Sequence, residues 1–292
     1  MSDATAASSQ PEPLRPRGLR APGFAANLAQ RVGTALVALP LLLAALIAGP
    51  PWLALAIVVA ALGLGLVELD ALARVRGIQP MRLAGALASA AFFADVAAPG
   101  RLPFPLAPLG ALALFVAMLA RGLDRGAVGA GAATLLGALY LGVLGGTLGA
   151  LRVLPPVEAG AWRLVMLLGT LVIADTFAFF VGHALGRRRL APSISPGKTV
   201  EGALGGLVGG IAGAFLIRQL GLPQLPALDT ALLGAAVAAM GIAGDLLESL
   251  LKRWAGVKDS GGLFPGHGGM LDRLDSLLFG APVLYYYFQY LR

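Results

Sequence analysis

Apolar and polar positions along this chain come in long blocks rather than alternating residue by residue. Near-continuous apolar runs fall at 31–48, 52–70, 82–98, 107–120, 127–150, 162–183, 202–219, 229–251 and 274–291. A helix needs ~20 residues to cross about 30 Å of hydrocarbon, and these runs predict nine transmembrane helices. The fourth is short and flanked by Pro105 and Pro108, so a re-entrant segment is its alternative. Apolar blocks without strand-like alternation argue for helices, whose backbone bonds close within each segment, and against a lipid-facing barrel. The expected fold class is an all-α, polytopic integral membrane helical bundle.

Composition agrees: 58% of the 292 residues are hydrophobic and only 13% charged, outside the soluble range. The net charge of +7 raises the question of nucleic acid. However, the basic residues are spread over interhelical loops with no soluble domain to present them, so no nucleic-acid partner is expected. They report orientation instead. With the N-terminus inside, every Lys and Arg except Arg101, Arg152, Arg163, Arg218 and Arg292 falls on the cytoplasmic side. Residues 1–29 mix Ser, Ala, Pro and Arg without periodicity and read as a disordered cytoplasmic tail with no cleavable signal peptide. The absence of cysteine excludes disulfides and thiolate metal sites and leaves metal ligation to carboxylates or the two histidines.

Small-xxx-small patterns such as Gly205, Gly209 and Gly213 predict close helix packing in lipid. Four acids fall inside or at the ends of the late spans: Asp175, Asp245, Glu248 and Asp272. A carboxylate at membrane depth costs about 2.5–3.5 kcal/mol, so it faces a cavity, a cation or a basic partner. Asp245, Glu248, Ser249 and Lys252 share one stripe of the eighth helix, and Asp272 and Asp275 lie one turn apart at the entrance to the ninth. Two readings stand at this level. Asp245 and Asp272, on adjacent antiparallel helices, converge on a divalent cation, for which hard oxygen ligands favour Mg²⁺. Alternatively they pair with Lys252, Arg253 or Arg273 as salt bridges at helix ends.

Two polar loops carry the remaining candidates. Residues 252–273 combine Lys252, Arg253, Lys258 and Arg273 with the glycine pairs Gly261-Gly262 and Gly268-Gly269, whose backbone N–H groups can approach a triphosphate. The plainer reading of these cations is positive-inside marking. His267 is either a polar contact to a phosphate or base or a loop residue, and one isolated histidine makes a poor metal site. Residues 186–201 hold Arg187, Arg188, Arg189, Ser195, Lys198 and Thr199. Gly197-Lys198-Thr199 is not a P-loop, because the first glycine of that motif and a preceding strand are missing.

The run from Ser249 to Ser276, SLLKRWAGVKDSGGLFPGHGGMLDRLDS, resembles the signature of the phosphatidate cytidylyltransferases (CDP-diacylglycerol synthases). Asp175 and Ser195-Pro196-Gly197-Lys198-Thr199 resemble a second stretch of the same family, with Phe179 where Tyr is common and His183 where Lys or Arg is common. The resemblance covers about residues 170–280 and implies the reaction of CTP with phosphatidate to give CDP-diacylglycerol and diphosphate. It favours Asp245 and Asp272 as Mg²⁺ ligands, with a monovalent cation as a candidate second ion. Lys198, Lys252 and Arg273 join them in catalysis; Asp175, Ser195, Thr199, Arg253, Lys258, His267, Gly268 and Gly269 bind substrate. It also implies a homodimer in the inner membrane with its active site in the cytoplasm. Residues 30–150 are then expected to supply packing and dimer contacts, and 151–292 the catalytic region. The rival readings are a secondary transporter of an anionic metabolite, using Asp175 and Asp245 as a cation site, and another lipid-phosphate transferase.

Overall fold

Pro50-Pro51 starts one long helix and Gly77, in the left-handed region at φ 75°, closes it, so the second apolar run becomes a helix with defined ends. The structure, a computed structural model, describes residues 40–100, 102–122, 126–261 and 268–291. The expected tail, 1–29, and His267 lie outside the described residues.

Nine helices follow in order among the described residues: α1 at 40–48, α2 (Pro51–Val75), α3 (Arg82–Ala97), α4 (Ala107–Ala120), α5 (Ala127–Val153, with a π-turn at Ala138–Val143), α6 (Gly160–Leu185), α7 (Val200–Gly221), α8 (Ala227–Ala255) and α9 (Leu271–Tyr286). Each occupies one of the nine expected runs. The polar loop at 186–201 of this otherwise helical chain contains a small antiparallel hairpin of β1 (Arg189–Ala191) and β2 (Ser195–Thr199). Its reason is local: Pro192 and Ser193 turn the chain, and Thr199 ends β2 in an extended conformation while its Oγ1 accepts from Gly202 N–H at 3.0 Å to cap α7.

Among the described residues five helices are long and apolar enough to cross a membrane: Pro51–Val75, Ala127–Val153, Val157–Leu185, Val200–Gly221 and Ala227–Ala255. Helices α3, α4 and α9 have 16, 14 and 16 residues. At 1.5 Å per residue they reach roughly 21–24 Å. Large apolar side chains such as Leu204, Val208, Leu216, Leu228 and Leu232 point outward from α7 and α8, while Leu141, Met166, Leu167, Leu271 and Leu278 are fully enclosed. Apolar inside and out, the chain is a multi-pass helical membrane protein.

The glycine stripe of α7 packs as its spacing predicts. Gly205 faces Val181, Gly209 faces Phe177 and Gly213 faces Thr170, all on α6, while Gly210 on the next face meets Gly234 and Ala238 of α8. A methyl at Gly210 would press on the Gly234 carbonyl, and that backbone has little room to shift. Gly210→Ala is therefore expected to cost about 1–3 kcal/mol and lower the thermal midpoint in detergent. Gly63→Ala, on α2 with nothing within 4 Å, should leave the midpoint unchanged or raise it.

Candidate active site

The C-terminal half of α6, the hairpin, the start of α7 and the C-terminal half of α8 enclose a cavity of about 640 Å³. Asp175, Phe179 and His183 face it from α6, Arg187 from the link after α6, Arg189, Lys198 and Thr199 from the hairpin, and Ile242 and Asp245 from α8. Lys198 Nζ lies 2.5 Å from Asp245 Oδ2, and Ser249 Oγ donates to Asp245 Oδ1 at 3.2 Å. Behind them Asp275, 9% exposed, sits within the electrostatic reach of Asp245, Lys198 and Asp175. The hairpin keeps its place because Glu201, in the first turn of α7, accepts from the backbone N–H groups of Arg187 and Arg188.

A second polar cluster adjoins the first along α8. Lys252 bridges Glu248, one turn back on the same helix, and Asp272 of α9, whose Oδ1 is 2.5 Å from Nζ. The other Asp272 oxygen accepts from Ser260 N–H (3.2 Å) and Gly269 N–H (2.8 Å) and lies 2.8 Å from Ser260 Oγ. Lys252 and these donors thus engage both oxygens of the Asp272 carboxylate. Asp245, Glu248, Ser249 and Lys252 thus form the expected stripe. Asp245 and Asp272, expected to share an ion, are each engaged by a different lysine.

The other expected residues divide. Asp175, Lys198 and Thr199 line the cavity with Asp245, and so do Phe179 and His183, whose rings stack 6.2 Å apart at the two positions that depart from the family pattern. Ser195 sits in the β-ladder opposite Ala191. Arg253 donates to the Val257 carbonyl at 3.5 Å, closing α8, and both it and Lys258 are exposed. Arg273 is exposed on the first turn of α9. Gly268 takes φ 78°, which favours glycine, and Gly269 directs its N–H at Asp272 rather than into open space.

Sequence reasoning missed Glu68 and Ser260. Glu68 Oε1 accepts from Met270 N–H (2.9 Å), and Oε2 from Leu271 N–H (2.8 Å) and Ser260 Oγ (3.0 Å). An acid within the second apolar run was the available signal.

The sequence profile of the cytidylyltransferase family matches residues 29–291. This chain belongs to the cytidylyltransferase family. A phosphatidate cytidylyltransferase of Thermotoga maritima is 45% identical over 139 residues, covering 46% of this chain and 52% of that protein. One from Pseudomonas aeruginosa is 50% identical over 111 residues, 38% of this chain and 41% of the relative. An uncharacterized protein of Escherichia coli is 42% identical over 134 residues, 46% and 45% of the two chains. The chain spans about half the length of the curated relatives it matches. For a cytidylyltransferase the donor chemistry of the cavity fits Mg²⁺: Asp175 and Asp245 offer hard oxygens at its wall. Among the described residues no three His, Cys, Asp or Glu gather as a ligand set. Mg²⁺ needs none, since it takes one or two carboxylates plus substrate phosphate oxygens and water.

Proposed function

We propose that this chain is a phosphatidate cytidylyltransferase, converting CTP and phosphatidate to CDP-diacylglycerol and diphosphate. The observation that carries the reading is the cavity of about 640 Å³ between hairpin and α8, with carboxylates, a lysine and arginines on its wall and apolar helix faces around it. A volume of several hundred Å³ suits a small-molecule substrate. A lipid phosphate oxygen attacks the α-phosphorus of CTP, the bond from that phosphorus to the bridging oxygen breaks, and diphosphate leaves with the electron pair. No protein nucleophile is needed, because the phosphate monoester is already anionic.

Mg²⁺, when bound, neutralises phosphate charge. Asp245 would hold it, with Asp175 and Asp275 adding negative field. Asp272, already engaged by Lys252, Ser260 and Gly269, fits better as the residue that ties Ser260 and Gly269 to α8. That assignment reverses the expectation of a shared Asp245 and Asp272 site and keeps Asp272 essential. Lys198, beside Asp245 on the cavity wall, would hold a substrate phosphate. Arg187 and Arg189 line the same wall, and Lys252, Arg253, Lys258 and Arg273 add positive charge at the adjoining loop.

The nine-crossing topology, with N-terminus and active site in the cytoplasm of an inner-membrane homodimer, belongs to the same proposal. Supporting it, the basic ends at Arg76, Lys198 and Lys252 meet at one end of the bundle, where Arg76 reaches the Trp254 carbonyl and Lys198 reaches Asp245. The shorter helices cross with local thinning or snorkelling flanks.

Supplying CTP labelled at the α- or the γ-phosphorus tests the reaction. The α-label is expected in the lipid and the γ-label in diphosphate, with both transfers abolished by EDTA and restored by Mg²⁺. An α-label that stays water-soluble, or transfer that survives EDTA, contradicts the proposal.

A further inference from the structure

Helix α2 belongs to the half of the chain expected to supply only packing and dimer contacts, yet its C-terminal turns hold both ends of the 252–273 loop. At the loop's start Arg76 Nε donates to the Trp254 carbonyl, and its guanidinium lies over the Trp254 ring at 5.8 Å from the centroid. At its end Glu68 accepts from Met270 and Leu271 N–H, the first amides of α9. Those amides have no partner within their helix, and the N-cap residue, Met270, offers no capping side chain. The Glu68 carboxylate therefore caps α9 from another helix, where a negative group also meets the positive helix end.

Sterics tie the same group to the loop's glycines. A Cβ at Gly261 would collide with Glu68 Oε1, and one at Gly269 with Glu68 Oε2 and Ser260 Oγ. Ser260 Oγ stands 3.0 Å from Glu68 Oε2 and 2.8 Å from Asp272 Oδ2, and its single proton serves one carboxylate at a time. Glu68 thus sets where residues 268–272 lie, and through them where Asp272 meets Lys252.

We propose that Glu68 is a positioning residue of the active site, the anchor that holds residues 260–261 and 269–272 in register against α8; the catalytic part of this inference rests on the function proposed above. Removing it frees two amides and the first turn of α9 without touching the cavity wall. The test uses the full chain in detergent with Glu68→Gln and Glu68→Ala. Gln keeps the shape but leaves one acceptor oxygen, so a space-filling role would tolerate it. Hydrogen exchange at Met270 and Leu271 is expected to quicken on the order of 10- to 100-fold in both variants while α6 and α7 exchange as in the parent. CDP-diacylglycerol formation at saturating substrates should fall on the order of a hundredfold, the scale of a misplaced catalytic group. Parent-like exchange in Glu68→Gln overturns the anchor. Faster exchange with parent-like turnover overturns its link to catalysis. If Glu68→Ala does not fold, Glu68→Gln alone decides. The exchange readout needs no substrate, so a parent chain that forms no CDP-diacylglycerol counts against the proposed function and not against the anchor.

Discussion

Asp245→Asn is expected to remove CDP-diacylglycerol synthesis, by on the order of 10²–10³-fold or more, and to leave the fold intact. The asparagine keeps the shape and can still receive the Ser249 hydroxyl, but it loses the charge that would hold Mg²⁺ and that now holds Lys198. Stability should barely change, because Asp245 and Lys198 are 37% and 27% exposed at the cavity wall. Pairs this open contribute about 0–1 kcal/mol. Initial rates with saturating CTP, phosphatidate and Mg²⁺, measured beside the thermal midpoint, check both halves. A parent-like rate removes Asp245 from the metal assignment, and a collapsed midpoint would mean that the cavity wall is structural.

The opposite balance is expected at the neighbouring cluster. Lys252 is 13% exposed and lies between Glu248, 1% exposed, and Asp272, 10% exposed. Lys252→Met leaves two carboxylates in a nearly dry space with no cation between them. Breaking a buried ion pair from one side costs about 3–5 kcal/mol. The expected result is a steep drop in thermal midpoint and in folded yield, with activity lost alongside. Adding Glu248→Gln to Lys252→Met should recover part of the stability, since the more deeply buried of the two uncompensated carboxylates is then neutral while Asp272 keeps its Ser260 and Gly269 donors. A midpoint for Lys252→Met equal to the parent's would show that the cluster is solvated. The two lysines, each 2.5 Å from an aspartate, differ in burial, so the fold is expected to depend on Lys252 and not on Lys198.

Much of this arrangement was legible in the sequence because lipid imposes simple patterns. The apolar run at 52–70 returns as Pro51–Val75 and that at 229–251 as Ala227–Ala255, each lengthened by polar turns that hydropathy assigns to loops. The stripe from Asp245 to Lys252 follows from helical periodicity, and the Gly205, Gly209 and Gly213 face from close packing. The hairpin at 189–199 was not legible, because its strands are three and five residues long and carry no alternation. Nor was the choice of each aspartate for its own lysine, which depends on the rotation of α9 against α8. Glu68 escaped for the same reason. Its partners Met270 and Leu271 lie about 200 positions away, and nothing in the local pattern of α2 names them.

On the proposed function, the cavity joins a soluble nucleotide to a lipid phosphate. The most direct test places the purified chain in vesicles containing phosphatidate, adds labelled CTP and Mg²⁺ outside, and partitions the label between lipid and vesicle lumen. Label is expected in the lipid as CDP-diacylglycerol, dependent on phosphatidate and absent in Asp245→Asn. Label carried into the lumen in water-soluble form, with none in the lipid, would contradict it and favour a transporter.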